Sequence, residues 1–188
     1  MKITRPTFRM IVSLIFVALS ASSCIVVSVH PLVDPASARK PDQELRGRWA
    51  GRDAELQGIY AQFDGNASME TNILSGKGNE AKPKLAFEVA NAKIGKHQYM
   101  SLKPRDESVG KGYLIVRYAI AGDELKVWLL DAAEVSAAIS EGQLKSGDGG
   151  VASTTNITDS PAKIAAFIEA REDTELFEYL GTFKKVKE

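Results

Sequence analysis

The sequence contains little of the chemistry from which catalytic and metal sites are built. Among 188 residues there is one cysteine, Cys24, and there are two histidines, His30 and His97. A single cysteine excludes an intramolecular disulfide and any zinc site built on paired cysteines. Neither histidine has a cysteine or carboxylate at metal-ligand spacing, and no G-x-S-x-G, H-E-x-x-H or Walker-type motif occurs. We therefore expect no catalytic residues, no metal and no cofactor, and we do not expect an enzyme.

The chain also lacks an excess of charge of either sign. Lys and Arg together number 24, and Asp and Glu together also number 24. Lys2, Arg5 and Arg9 lie in the first 23 residues, so the remainder of the chain is mildly acidic. Nucleic-acid binding selects basic surfaces, and attraction to anionic lipid needs a polybasic patch. We therefore do not expect nucleic acid as a partner.

An apolar segment, residues 10–19, stands near the start of the chain, interrupted only by Ser13. Basic residues precede it and the small residues 20–23 follow it, an order typical of a secretory signal peptide. Ten residues are too few to span a bilayer. Two alternatives stay open: an uncleaved membrane anchor over residues 10–29, and cleavage near Ala21 with secretion of a free thiol. All three place the residues from 31 onward outside the cytoplasm.

The residues before Cys24 resemble the processing site of bacterial lipoproteins. Ala21, Ser22 and Ser23 match its small residues, although Ala21 stands where a leucine is usual. The resemblance implies cleavage after Ser23, a diacylglyceryl group on the Cys24 sulfur and acylation of the new amino terminus. Acyl chains in that number would anchor a protein stably. Ile25, rather than Asp, follows the cysteine, which by resemblance favours the outer membrane, with the domain facing the periplasm.

Beyond residue 44 the chain reads as short strands separated by turn signals. The segments 113–121 and 124–130 are rich in aromatic and β-branched residues, and Gly122-Asp123 between them predicts a two-residue hairpin turn. Asp64-Gly65-Asn66 predicts a second turn. Strands are expected over residues 45–51, 56–63, 67–74, 84–92, 97–102, 113–121, 124–130 and 179–186, with a further short strand over 151–157. The apolar residues 25–29 predict either an added strand or a segment at the membrane surface.

Two segments change to a helical period before the last strand. Asp131 and Glu134 stand at capping-box spacing, and Gly142 marks the end of that helix. Ser160 followed by Pro161 predicts the start of a second helix, which continues to about Arg171. The predicted fold is mainly β within the α+β class: an antiparallel barrel or strongly curved sheet of about eight strands, with two inserted helices.

The first of these strands carries a family resemblance. Gly47-Arg48-Trp49 resembles the Gly-x-Trp of the first strand of lipocalins and related calycin barrels. In that family the tryptophan closes one end of the barrel, and a basic residue near the last strand packs across it. Residues 31–51 and 180–184 are also similar to a recurrent group of uncharacterised bacterial lipoproteins. These resemblances imply a calycin-like barrel and no known activity.

Together these patterns divide the chain into a signal peptide (1–23), a lipidated cysteine with its tether (24–44) and one globular domain (45–188). We expect a non-catalytic lipoprotein of the cell envelope, held at the membrane, whose barrel either has a solid core that leaves no cavity or encloses a small lipophilic ligand. The alternative is an accessory subunit that docks onto an envelope protein complex through its helices or Gly-rich loops. The candidate residues, which would either line a cavity or fill a solid core, are Trp49, Phe87, Tyr118 and Trp128.

Overall fold

A computed structural model describes residues 25–33, 42–64, 70–76, 81–108, 110–147, 154–171 and 176–187. The predicted signal peptide, Cys24, most of the turn at 64–66 and the first residues of the predicted strand 151–157 lie outside the described residues. The described strands are β1 Ile25–Ser28, β2 Gly47–Gly51, β3 Ile59–Phe63, β4 Glu70–Ser75, β5 Lys82–Ile94, β6 His97–Pro104, β7 Leu114–Ala121, β8 Glu124–Leu130, β9 Thr154–Ile157 and β10 Phe177–Lys185. The described α-helices are α1 Ala132–Ser140 and α2 Pro161–Glu169.

Eight of these strands close into a barrel in the order β10-β2-β3-β4-β5-β6-β7-β8. Every neighbouring pair is antiparallel. Closure pairs both edges of the sheet, which removes the edge strands that would otherwise invite aggregation. The predicted architecture is confirmed: a mainly β, calycin-like barrel of eight strands with two helices inserted before the last one.

The hairpin between β7 and β8 forms where the aromatic and β-branched segments predict it. Ala121 pairs with Glu124 across the turn, and Gly122 adopts a φ of 62°. That conformation is open to glycine and is the one a tight hairpin turn requires. The start of β3 differs from the prediction, because residues 54–56 form a 3-10 turn and the strand begins only at Ile59. Gly58, at a φ of 77°, lies between the two.

Helix α1 begins at the predicted cap but not with the complete capping box. The Asp131 carboxylate accepts hydrogen bonds from the backbone N–H groups of Ala133 (2.7 Å) and Glu134 (3.0 Å). The Asp131 N–H, which a capping box would pair with the Glu134 side chain, instead donates to the Leu176 carbonyl (2.9 Å). Gly142, at a φ of 73°, ends the helix as predicted. Asp131 therefore starts the helix and also ties it to the entry of β10.

Two apolar cores lie on opposite sides of the barrel wall. One lies in the barrel interior and includes Trp49. The other lies outside, where α1, α2 and the two-stranded parallel sheet of β1 and β9 cover the wall. The buried residues of the helices, among them Val135, Ile164 and Ile168, belong to this outer core. At nine residues each, neither described helix is long and apolar enough to cross a membrane.

The segment that the sequence assigns to a tether packs onto the barrel as far as it is described. Residues Ile25–Ser28 form β1, which pairs in parallel with β9, and Val26 and Leu32 are buried in the outer core. The Leu32 N–H donates to the Ser101 hydroxyl on β6 (3.0 Å). The sequence predicted either an added strand or a segment at the membrane surface for residues 25–29. In the structure, residues Ile25–Ser28 form the added strand.

Candidate ligand site in the barrel

One end of the barrel is sealed by residues that precede β2; we call this end the floor. Residues 42–46 turn back across it, with the Leu45 N–H bonded to the Asp42 carbonyl (3.1 Å). Leu45 and Trp49 are completely buried, and the Trp49 indole N–H donates to the Leu45 carbonyl (2.6 Å). The ammonium of Lys185, at the end of β10, lies 4.9 Å from the centre of the Trp49 ring and donates to the Glu44 carbonyl (3.0 Å).

A second contact ties the floor to the far wall. The Tyr118 hydroxyl on β7 donates to the Asp42 carboxylate (2.8 Å). Burial raises the pKa of Tyr118 far above its ordinary value of 10.0, and the hydrogen bond and negative charge of Asp42 raise it further. Tyr118 therefore stays protonated and remains a donor throughout the physiological pH range. The floor is thus held by an indole, a phenol and an ammonium that all bind the segment crossing it.

The opposite end carries a ring of aliphatic side chains that are only partly buried; we call this ring the mouth. Antiparallel strands alternate in direction, so β2, β4, β6 and β8 end where β3 and β7 begin. The side chains that meet there pack against the interior core without being fully covered by it. They are Leu56, Ile59, Ile73, Leu102, Leu114 and Leu129. These six side chains are therefore more exposed than the fully buried floor residues Leu45 and Trp49.

Leu56 reaches the mouth because two glycines make room for it. A Cβ on Gly51 would overlap the Leu56 carbonyl, and a Cβ on Gly181 would overlap the Leu56 side chain. The Asp53 carboxylate holds the same segment by accepting from the Thr182 N–H (2.8 Å) and the Tyr179 hydroxyl (3.3 Å). The 3-10 turn is thus clamped over the seam between β2 and β10.

Between floor and mouth lies a polar group to which the described part of the chain makes no hydrogen bond. Thr71 on β4 is 1 % exposed, and its hydroxyl has no hydrogen-bond partner among the described residues. Its cross-strand neighbours are Phe63 on β3 and Phe87 on β5. Directly paired residues of an antiparallel sheet share a face, so the hydroxyl lies between two aromatic rings on the interior wall. A buried hydroxyl without a partner is costly and marks a place where a bound molecule could supply one.

The structure brings three of the four predicted candidate residues to the interior. Trp49 and Tyr118 lie at the floor, and Phe87 is buried beside Thr71. Trp128 lies on the other face of β8, in the outer core, with the Arg117 guanidinium 4.7 Å from its ring centre. Side chains alternate along a strand, and it is Val127 and Leu129 that face inward. Trp128 is therefore not part of the interior site.

The aliphatic mouth and Thr71 were not among the sequence candidates. The alternation of Leu85, Phe87 and Val89 indicates one apolar face, but it does not tell which residues of other strands lie opposite. That information is in the register, for example in the pairing of Val89 with Leu102 and of Leu102 with Leu114. Within the described residues, no three His, Cys, Asp or Glu side chains converge in the way that a metal ion would require.

Comparison with known proteins gives no match: no family model, no curated protein and no solved structure matches this chain. The geometry of the barrel is therefore what supports a function for it.

Proposed function

We propose that this protein is a lipid-anchored binding protein of the bacterial cell envelope whose barrel takes up a small lipophilic molecule. The observation that supports binding is the contrast between the two barrel ends. The floor is sealed by Leu45 and Trp49, both fully buried, whereas the mouth presents half-buried aliphatic side chains. The mouths of β-barrels, lined mainly by apolar side chains, are a common location for small-molecule binding.

Burial of hydrocarbon would supply the affinity. Each methylene removed from water contributes about 0.8 kcal/mol, so a chain of about eight carbons contributes roughly 6 kcal/mol. The floor and the mouth offer aromatic and aliphatic side chains for that contact. This sum is an upper limit on the net binding free energy, because association also costs translational and rotational freedom.

The membrane anchor is proposed at Cys24, on the basis of the apolar leader and the small residues before the cysteine. Strand β1 begins at the next residue, Ile25, and is paired with β9. An acylated Cys24 would therefore hold the barrel close to the lipid surface. Replacing Cys24 with serine should release the protein from the membrane fraction, and the intact mass of the parent should equal residues 24–188 plus acyl groups. A Cys24→Ser protein that stays membrane-bound would refute the anchor.

The binding proposal is tested by photolabelling the full chain in phosphatidylcholine vesicles with a diazirine-bearing dodecanol. Labelling should be saturable, compete with unlabelled dodecanol and map to peptides that contain the mouth residues. Leu102→Glu places a charge among the mouth residues and should abolish saturable labelling. The matched control is Val29→Glu, because Val29 is 46 % exposed and lies after β1, outside the barrel. Equal labelling of the two variants would contradict binding in the barrel.

The alternative of an accessory docking subunit has less support. The apolar residues of α1 and α2 are buried against the barrel wall, for example Val135 and Phe167. Co-purification of an envelope protein that is lost on removal of residues 131–172 would favour this alternative, provided that the shortened protein still folds.

A further inference from the structure

We infer that the ligand is uncharged and that its hydrogen-bonding group is seated against Thr71, inside the barrel, with its hydrocarbon directed toward the mouth. This inference rests on the proposed binding function and names the class of ligand: a neutral amphiphile such as a long-chain alcohol, ester or ketone. It follows from where the polar and charged groups of the interior lie.

The first observation is the Thr71 hydroxyl. It is the kind of group that proteins almost always pair, because its desolvation is not repaid when it is left alone. Thr71 is 1 % exposed, lies between Phe63 and Phe87, and has no hydrogen-bond partner in the part of the chain that the structure describes. A hydroxyl can donate and accept, so a ligand hydroxyl or carbonyl satisfies it equally well.

The second observation is the absence of charge around it. Between floor and mouth, the interior-facing side chains of the described strands are apolar or neutral. Besides Thr71, the buried polar side chain on this face is the amide of Asn91, which pairs across strands with Met100. A carboxylate or ammonium drawn down to Thr71 would lose its hydration and meet no counter-charge, which is a far larger cost than burying a neutral group.

The charges of the floor are engaged within the protein. The Lys185 ammonium lies against the Trp49 ring and donates to the Glu44 carbonyl. The Asp42 carboxylate accepts from the Tyr118 hydroxyl and from the Glu44 N–H (3.0 Å). Neither charged group is exposed to the barrel interior, because the buried side chains of Trp49 and Tyr118 lie between them and the interior core.

The orientation of the ligand follows from the mouth. The floor is sealed by Leu45 and Trp49, so the hydrocarbon of a ligand seated beside Thr71 extends toward the mouth, where six aliphatic side chains offer apolar contact. In this orientation the polar group of a bound amphiphile pairs with the Thr71 hydroxyl, and its chain contacts Ile73, Leu102 and Leu114.

The test compares matched photoreactive probes on the full chain in phosphatidylcholine vesicles at pH 8. Dodecanol, dodecanoate and dodecylamine share one chain, and at this pH the last two carry mostly one charge each. We expect dodecanol to label the wild-type protein at lower concentration than either charged probe. Thr71→Val, which replaces the hydroxyl with a methyl group, should raise the half-saturating dodecanol concentration about five-fold, the value of one neutral hydrogen bond.

Two controls separate the hydrogen bond from changes of shape. Thr71→Ser keeps the hydroxyl and should bind dodecanol within about two-fold of the wild type, a difference smaller than one neutral hydrogen bond. A photoreactive dodecane, which has no polar group, should label the wild type and Thr71→Val equally.

Failures of the inference and of the proposed function are distinguishable. Tighter labelling by dodecanoate or dodecylamine, or an unchanged dodecanol affinity in Thr71→Val, overturns the inference while leaving saturable binding in place. If no probe labels the wild type saturably, the binding function itself is refuted, and the inference with it. The comparison of charges uses only wild-type protein, so it stands even if a Thr71 variant does not fold.

Discussion

Replacing Thr71 with valine should stabilise the ligand-free protein, which is unusual for a substitution at a buried position. Thr71 is 1 % exposed and no described residue bonds to its hydroxyl, so folding takes that group out of water without compensation. Such a group costs about 1–3 kcal/mol, and the methyl group of valine adds roughly 0.8 kcal/mol of apolar burial. Taking the lower end of the sum of these two terms, we expect a gain of about 2 kcal/mol in the free energy of unfolding.

The measurement is urea unfolding followed by far-ultraviolet circular dichroism, without added lipid. A suitable protein is the chain from residue 24 with Cys24→Ser, because a later start would remove β1 and the buried Val26. The unfolding midpoint should rise at unchanged slope, and the midpoint of thermal unfolding should rise by about 4–8 °C for a chain of this length. Thr71→Ser is the control: it keeps the hydroxyl and loses a methyl group, so it should be less stable than the wild type by about 1 kcal/mol.

A Thr71→Val protein that is less stable than the wild type would refute this reasoning. It would mean that the hydroxyl is satisfied in the folded protein, and the support for a ligand group at that position would disappear. A stabilised variant that has also lost affinity for dodecanol would show the expected trade-off between stability and binding.

Three further predictions concern the elements around the barrel. Asp131→Ala should lower the free energy of unfolding by about 1 kcal/mol, because the Asp131 carboxylate caps helix α1. Glu134→Ala should change it by less than about 0.5 kcal/mol. Equal losses for the two variants in urea titrations would contradict this prediction. Gly51→Ala should cost about 1–3 kcal/mol, since its Cβ would overlap the Leu56 backbone; a neutral effect would show that the 3-10 turn can move away. Burial opposes ionisation of Asp159, but hydrogen bonds from the Lys145 N–H and the Lys163 ammonium (2.9 Å) outweigh it and lower the pKa of Asp159 below 3.8. Because its pKa is lower in the folded than in the unfolded protein, the Asp159 carboxylate stabilises the fold at any pH above the unfolded-state pKa. That stabilisation is lost as the pH falls through the folded-state pKa. Asp159→Asn should therefore cost about 1.5–3 kcal/mol at pH 7 and progressively less below about pH 4; a cost independent of pH would exclude the charge as its cause.

Local patterns in the sequence were sufficient for most of the elements. The β7–β8 hairpin is predictable because Gly122 allows the turn that two strands rich in β-branched and aromatic residues need. Helix α1 begins at Asp131 because its carboxylate accepts from N–H groups two and three residues later, an interaction that depends on neighbours in the chain alone. Turns and caps are short-range, so sequence patterns report them reliably.

The candidate site depended on interactions between residues far apart in the chain. The sequence favours Trp128 as strongly as Trp49, yet the two lie on opposite faces of the barrel wall. Which face a strand presents to the interior is set by its register with its neighbours, and a shift of one residue would exchange the two faces. By itself, the sequence predicted a mainly β fold, either a barrel or a strongly curved sheet, with two helices near its end. It also predicted an acylated cysteine near its start. Only the tertiary structure decided that one barrel end is sealed, that the other is aliphatic, and that Thr71 is left between two phenylalanines, because these depend on the closure of eight strands around a common interior.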